Sequence, residues 1–176
     1  MHRLFVAIRP PAPVRDALID LMEGIAGARW QGDEQLHLTL RFIGEVEGHV
    51  AEDIHAALGT IRCLPFELGV SRLGTFDRRG RPEVVWAGVA PAEPVHALHK
   101  KVDQALARVG IPPDRRAFHP HVTLARLGRG SGSVVEFLAR PVAAIPRFAV
   151  EAMVLVESRL TPDGALYTQL ERYPLG

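Results

Sequence analysis

The sequence lacks the features that mark several large classes of protein. Its 176 residues include one cysteine, Cys63, which excludes an intrachain disulfide and argues against a cysteine-rich zinc module. No apolar run approaches the roughly 18 residues that a membrane-spanning helix needs. Arg9 and the prolines after it interrupt the apolar start of the chain, so we expect no signal peptide. These absences predict a soluble, cytoplasmic protein.

An excess of charge of one sign is also missing. Lysine and arginine total 21 and aspartate and glutamate total 20, so the charges nearly cancel. A protein without a global positive field does not hold long nucleic acid by counterion release. Any contact with RNA is therefore expected to be local, at an end or a short piece. The length allows a substantial core, and we predict one domain over residues 1–176.

The chain does contain one four-residue phrase written twice, at residues 37–40 (HLTL) and 121–124 (HVTL). In a strand, successive side chains point to opposite faces, so each histidine shares a face with the threonine two residues later. The intervening aliphatic residues then face a core. Two such strands facing each other would place two imidazoles and two hydroxyls around one small cavity, an arrangement suited to acid–base chemistry on an anionic substrate. A lone histidine is usually structural, and the duplication favours catalysis.

The elements around the two phrases follow the same order in both halves of the chain. Apolar spacing predicts strand, helix, His-x-Thr strand, helix and strand, twice over. We interpret this as an internal duplication with repeats at about 1–74 and 83–176, related by a pseudo-twofold axis. The periodicity by itself gives an α+β fold.

The phrases and their flanks resemble the 2H phosphoesterase superfamily, and in particular the RNA 2′,3′-cyclic phosphodiesterases, also called 2′-5′ RNA ligases. The resemblance extends over most of the chain, from Arg3 to about Tyr173. The segments that carry it are Arg3–Ile8, Leu36–Val46, Val84–Gly88 and Phe118–Arg126.

This resemblance implies a bilobed fold of two mostly antiparallel β-sheets that form a central cleft, with helices on the outside. It implies hydrolysis of a 2′,3′-cyclic phosphate on RNA or a nucleotide to a 2′-phosphomonoester, with His37 as proton donor and His121 as proton acceptor. No metal or other cofactor is expected. The predicted partners are RNA ends or short nucleotides that carry a 2′,3′-cyclic phosphate, and the protein is predicted to be a monomer. Reversible 2′-5′ RNA ligation and non-catalytic binding of RNA ends remain as alternatives.

Four further residues are candidates for holding the substrate. The hydroxyls of Thr39 and Thr123 can donate hydrogen bonds to nonbridging phosphate oxygens. Strict alternation puts Arg41 on the face of His37, where it either neutralises phosphate or is a solvated arginine at the rim. Arg126 matches an arginine of the family, yet strict pleating points it away from the second histidine. It reaches substrate only if the strand twists or ends there, and otherwise makes an ion pair on the far side.

Aromatic side chains are candidates for stacking on a nucleotide base. Phe76 lies among three arginines in a predicted loop over residues 74–81, and it either stacks a base or is part of an ordinary charged hairpin loop. Trp30, just before the first phrase, either serves the same purpose or packs against the core.

Overall fold

Strands and helices alternate along the chain in nearly the order that the apolar spacing predicts. The computed structural model describes residues 1–176. The strands are β1 (His2–Ile8), β2 (Arg29–Trp30), β3 (Leu38–Val46), β4 (Phe66–Arg78), β5 (Arg81–Ala90), β6 (His121–Arg126), β7 (Phe148–Val150), β8 (Ala152–Thr161) and β9 (Gly164–Pro174). The helices are α1 (Ala12–Leu21), α2 (Gly48–Leu58), α3 (Glu93–Arg108) and α4 (Val135–Leu138). None of them has the length and apolar character required to cross a membrane.

All strand pairings are antiparallel, in the spatial order β7-β4-β5-β6-β3-β1-β8-β9, with β2 added beside β6. The curled sheet consists of a first half-sheet, β3-β1-β8-β9, and a second half-sheet, β7-β4-β5-β6. The two half-sheets meet where β3 lies against β6, and Leu38 pairs there with Val122. The prediction of an α+β fold with antiparallel halves is confirmed. The two His-x-Thr strands, far apart in sequence, are neighbours at its centre.

The main core fills one face of the sheet, beneath the helices. The helical stripes that the spacing predicts, such as Val14 with Leu18 and Ile54 with Leu58, are buried there. The leucines and valine of the two His-x-Thr phrases point into the same core. A small apolar cluster lies on the opposite face: Phe5, Ala7, Val154 and Val156, with Tyr167 packed against it. The opposite face is therefore left open for polar side chains.

Each half of the chain contributes a strand to the other half of the sheet. Strand β4, from the first half of the chain, pairs with β5 of the second half, and β8, from the second half, pairs with β1 of the first. The tight turn from β4 to β5 joins the two halves of the chain. Arg79 and Gly80 both have positive φ there, as a two-residue hairpin turn of this type requires.

Each His-x-Thr strand also carries a β-bulge at the leucine that follows its threonine. In β3, Thr39 and Arg41 pair with consecutive residues of β1, which leaves Leu40 as the extra residue. In β6, Leu124 is extra in the same way opposite β5. An extra residue reverses the alternation of every side chain beyond it. The two bulges therefore decide which later side chains reach the open face.

Candidate active site

The four residues of the repeated His-x-Thr pattern lie on the open face at the junction of the two half-sheets. Because Leu38 pairs with Val122 in antiparallel register, His37 lies opposite Thr123, and Thr39 lies opposite His121. Directly opposite Cβ atoms in such a pair are about 5 Å apart, and diagonal ones are about 7–8 Å apart. The two histidines occupy one diagonal, with space between them on the scale of a phosphate group.

His121 is held in one tautomer by the backbone just before it. Its Nδ1 lies 2.6 Å from the carbonyl oxygen of His119, so Nδ1–H donates to that carbonyl and Nε2 is left as an acceptor. The ring meets the Phe76 ring edge-on, with 4.8 Å between centroids. Burial lowers the pKa of His121, and the neighbouring charges of His119 and Arg126 lower it further against the effect of the carbonyl. The imidazole is therefore neutral at neutral pH.

His37 is buried more deeply, with 9% of the residue exposed. Its ring contacts Phe5 and Tyr167, at centroid distances of 6.0 Å and 5.7 Å. Burial lowers the pKa of His37 to about 4, and the positive charge of Arg9 contributes in the same direction. Its Nδ1 is buried without a hydrogen-bond partner of ordinary geometry. The two histidines thus share a face but differ in solvation.

Arg126 lies on the open face, contrary to the expectation from strict pleating. Beyond the bulge in β6, Ala125 turns into the core and Arg126 pairs with Val84, which lies one residue beyond core-facing Val85. Its side chain is exposed, and its charge acts on the pKa of His121. The bulge supplies the departure from regular pleating that this arginine needs in order to face the cleft.

Arg41 is not on the open face, so the prediction that it shares the face of His37 is wrong. The bulge in β3 turns it toward α3, where its guanidinium donates to the Asp103 carboxylate and to the Pro112 carbonyl. Only 6% of Arg41 is exposed. It is neither a phosphate ligand nor a solvated rim residue, and we remove it from the substrate-binding candidates.

Phe76 lies in strand β4 and not in a loop, and it belongs to an aromatic wall beside His121. Its ring is half-buried and 5.5 Å from that of Trp86. Gly74 makes room for this tryptophan, because a Cβ at that position would lie 2.3 Å from the indole ring. A cavity of about 330 Å³ opens between this wall and His121. Trp30 instead packs against Phe137, outside the site.

Four residues of the site were missed from the sequence: Trp86, Tyr167, Arg9 and Arg72, whose guanidinium lies 5.0 Å from the centre of the Trp86 ring. Trp86 alternates with core residues in β5, and this alternation was a signal that it faces the other side. Tyr167 had no comparable signal, because its contact with His37 depends on the pairing of β9. Arg9 donates to the carbonyls of Asp33 and Leu36, at 3.0 Å and 3.2 Å, and so fixes the segment that leads into His37.

The polar groups of this face are not arranged as a metal centre. Nowhere in the chain do three or more His, Cys, Asp or Glu side chains form a group that could hold a metal ion. His99, which together with His96 invites a metal hypothesis, instead stacks on Phe118 and bonds to the carbonyl of Leu40.

Comparison with known proteins agrees with this geometry. A family model described as the 2′-5′ RNA ligase superfamily matches residues 6–160. The chain belongs to this superfamily. An RNA 2′,3′-cyclic phosphodiesterase of Aeropyrum pernix is 39% identical over 143 residues, which cover 78% of this chain and 81% of that protein. One from Thermus thermophilus is 34% identical over 184 aligned residues, covering 98% of this chain and 90% of that protein.

Solved structures agree as well. The crystal structure of Escherichia coli LigT complexed with 3′-AMP is similar with a TM-score of 0.85 and 30% identity, covering 99% of this chain and 98% of that one. The family resemblance inferred from the paired phrases is thereby confirmed. In this member of the 2′-5′ RNA ligase superfamily, the phrases are adjacent strands of one sheet.

Proposed function

We propose that the protein hydrolyses RNA or nucleotide 2′,3′-cyclic phosphates to 2′-phosphomonoesters by two-histidine acid–base catalysis without a metal. The observation that carries this proposal is the register of β3 against β6, which puts both histidines and both threonines on one open face. Relatives that share most of the chain are RNA 2′,3′-cyclic phosphodiesterases. A strained cyclic diester also requires less of the protein than an ordinary one does.

His121 is the proposed general base. Its Nδ1–H is committed to the His119 carbonyl, so Nε2 is free to take a proton from water. The water oxygen then forms a bond to phosphorus as the bond from phosphorus to the 3′ oxygen breaks. The Phe76 ring beside the imidazole restricts its rotation and keeps that nitrogen directed at the cleft.

His37 is the proposed general acid, which gives its proton to the departing 3′ oxygen. Its pKa of about 4 means that His37 is neutral at neutral pH before substrate binds. An anionic phosphate beside it favours the charged imidazolium, and this effect is strong in a poorly solvated position. Binding of the anionic substrate therefore favours uptake of a proton from solvent by His37, and His37 then gives this proton to the departing 3′ oxygen. The assignment of acid and base follows the family resemblance.

The remaining contacts fix the phosphate and the base. Thr39 and Thr123 are proposed to donate to the nonbridging oxygens, and Arg126 to offset their negative charge. The cavity lined by Phe76, Trp86 and Arg72 is proposed to hold the base by stacking. The similar E. coli protein was crystallised with 3′-AMP, which supports a nucleotide in this cleft.

Incubation with a 2′,3′-cyclic nucleotide in the presence of EDTA tests the proposal, with the product identified by phosphorus NMR. We expect a 2′-phosphomonoester with the chelator present. A 3′-phosphomonoester would mean that the 2′ oxygen is the leaving group instead of the 3′ oxygen. Binding without turnover would mean that the protein only recognises RNA ends.

Ligation is the second candidate function, because the same groups can act in reverse. A free 5′-hydroxyl held beside the cyclic phosphate takes the place of water and forms a 2′-5′ linkage. In water, hydrolysis dominates unless the second RNA end is positioned next to phosphorus. The cytoplasmic location and the monomeric state stay predictions from the sequence.

A further inference from the structure

A groove lined by arginines lies at the tip of the β4–β5 hairpin, away from the histidines. Its volume is about 760 Å³. It is lined by Arg78, Arg79, Arg81, Pro82, Glu83, Leu127, Gly128 and Arg129. Four guanidinium groups thus meet one carboxylate in a chain whose net charge is +1. The positive charge that the whole chain lacks is concentrated here.

Most of this charge is free of acidic partners. Arg78 is paired loosely with Glu83, at 3.8 Å. Arg79, Arg81 and Arg129 are exposed and form no ion pair. Exposed like charges repel one another, so their collection in one groove carries a cost that a bound anion relieves.

The groove continues the open face on which the histidines lie. Along β4, Phe76 and Arg78 are two residues apart and share a face, so the row that begins beside His121 leads to the hairpin tip. Along β6, Arg126 lies between His121 and the groove. Arg126 is five positions beyond His121, which is roughly 16 Å at the rise of a strand, and the groove begins just after Arg126. A mononucleotide held at His121 does not span that distance.

The lining selects one kind of ligand. The groove contains no aromatic ring and a single large apolar side chain, so it does not suit a stacked base or an apolar molecule. Guanidinium groups bind phosphate oxygens in bidentate fashion. We propose that the groove binds the sugar–phosphate backbone of the RNA strand leading to the reacting 3′-terminal nucleotide. This inference rests on the proposed function and deepens it, because the substrate is then an RNA strand and not a free cyclic nucleotide.

The test compares two substrates on a variant with Arg79→Gln, Arg81→Gln and Arg129→Gln. One substrate is a 2′,3′-cyclic mononucleotide, and the other is an RNA of roughly eight nucleotides ending in the same cyclic phosphate. We expect KM for the RNA to rise at least about tenfold at low salt, since three phosphate contacts are lost. The kinetics on the mononucleotide should not change.

A matched control removes the same amount of charge elsewhere. Lys100, Lys101 and Arg108 are exposed on α3, on the helical side of the sheet, and their change to Gln should alter neither substrate's kinetics. Binding of the product RNA, measured by fluorescence anisotropy against salt, gives a second readout. Each phosphate contact to a single strand contributes about 0.7 to the slope of log K against log salt, so the groove variant should lose about 2.

An equal loss on both substrates, or a groove variant indistinguishable from the α3 control, overturns the proposal. If wild-type protein turns over neither substrate, the proposed function fails. The anisotropy measurement still decides the groove in that case, because it requires no turnover.

Discussion

The two His-x-Thr strands have the same backbone course but place their charges differently. Both bulge at the leucine after the threonine, so the next residue turns into the core and the one after it faces the cleft. In β3 these two residues are Arg41 and Phe42, and in β6 they are Ala125 and Arg126. The two strands thus share one geometry, and the arginine stands one position later after the threonine in β6 than in β3. A single step along the chain separates an internal ion pair from a residue of the cleft.

The two histidines differ in a related way. His37 is surrounded by Phe5, Tyr167 and the main body of the first half-sheet, whereas His121 borders a cavity that is open to a ligand. Protonation of the more buried imidazole, His37, is therefore less favourable than protonation of His121. The two His-x-Thr strands therefore share a backbone geometry, but their histidines differ in solvation.

Removing either imidazole should have the largest effect. His37→Ala and His121→Ala are each expected to lower kcat by about 10²–10⁴-fold, the usual contribution of a positioned acid or base. His49→Ala, at an exposed position outside the site, serves as the control. Rates come from product formation, with circular dichroism as a check on folding. Near-normal turnover by either variant would remove that histidine from the mechanism.

The two arginines should respond in opposite ways. Arg41→Gln removes the guanidinium from Asp103 and leaves only His99, at 3.5 Å, beside that carboxylate. We expect a loss of about 2–3 kcal/mol in the free energy of unfolding, measured by urea denaturation. Arg126→Gln should leave stability within about 0.5 kcal/mol. It should instead lower kcat/KM about tenfold, as expected for loss of one charge-assisted hydrogen bond. If the Arg41→Gln protein were as stable as wild type and had a raised KM, Arg41 would be a substrate-binding residue after all.

Acid should destabilise the protein through His37. The unfolded histidine takes up a proton near pH 6.5, whereas the folded one does so only near pH 4, so the stabilisation is present above pH 6.5 and is lost as the pH falls toward 4. The loss attributable to this side chain amounts to about 2 kcal/mol by pH 5. Denaturation of wild type and His37→Ala at pH 7 and pH 5 measures it. An identical pH dependence in both proteins would contradict the burial argument.

The smallest expected effect is on KM, and it tests which half-sheet holds the nucleotide base. Phe76→Ala should raise KM for a cyclic mononucleotide about fivefold, near the lower end of the energy of one stacked base. Phe42, exposed on the open face of the other half-sheet, is the matched control, and Phe42→Ala should leave KM within about twofold. The reverse pattern would move the base to the first half-sheet.

Regular patterns were enough to predict much of the molecule. The stripes of α1, α2 and α3 and the core-facing residues of the His-x-Thr strands follow from spacing alone, because burial imposes a period on every residue of an element. The site histidines and threonines emerged from the repetition of a short phrase. The sequence predicted that the two strands lie close together, and the pairing of Leu38 with Val122 shows which of their residues lie opposite one another.

The errors concern irregular pairing. Alternation misassigned Arg41 and left Arg126 undecided, because a bulge depends on the neighbouring strand and on contacts such as that with Asp103 across the sheet. Phe76 was placed in a loop because arginines and glycines follow it, although the strand continues through Arg78 to a two-residue turn. The strands that pair opposite the two bulges are too far away in sequence to leave a local signal.

Because β4 and β8 are exchanged between the two halves of the chain, neither half is a separable unit. A chain cut at the hairpin turn would yield two fragments, each missing a strand that its own sheet requires and carrying one that belongs to the other. The two His-x-Thr strands therefore depend on both halves, and loosening either half disrupts the surface that carries both imidazoles.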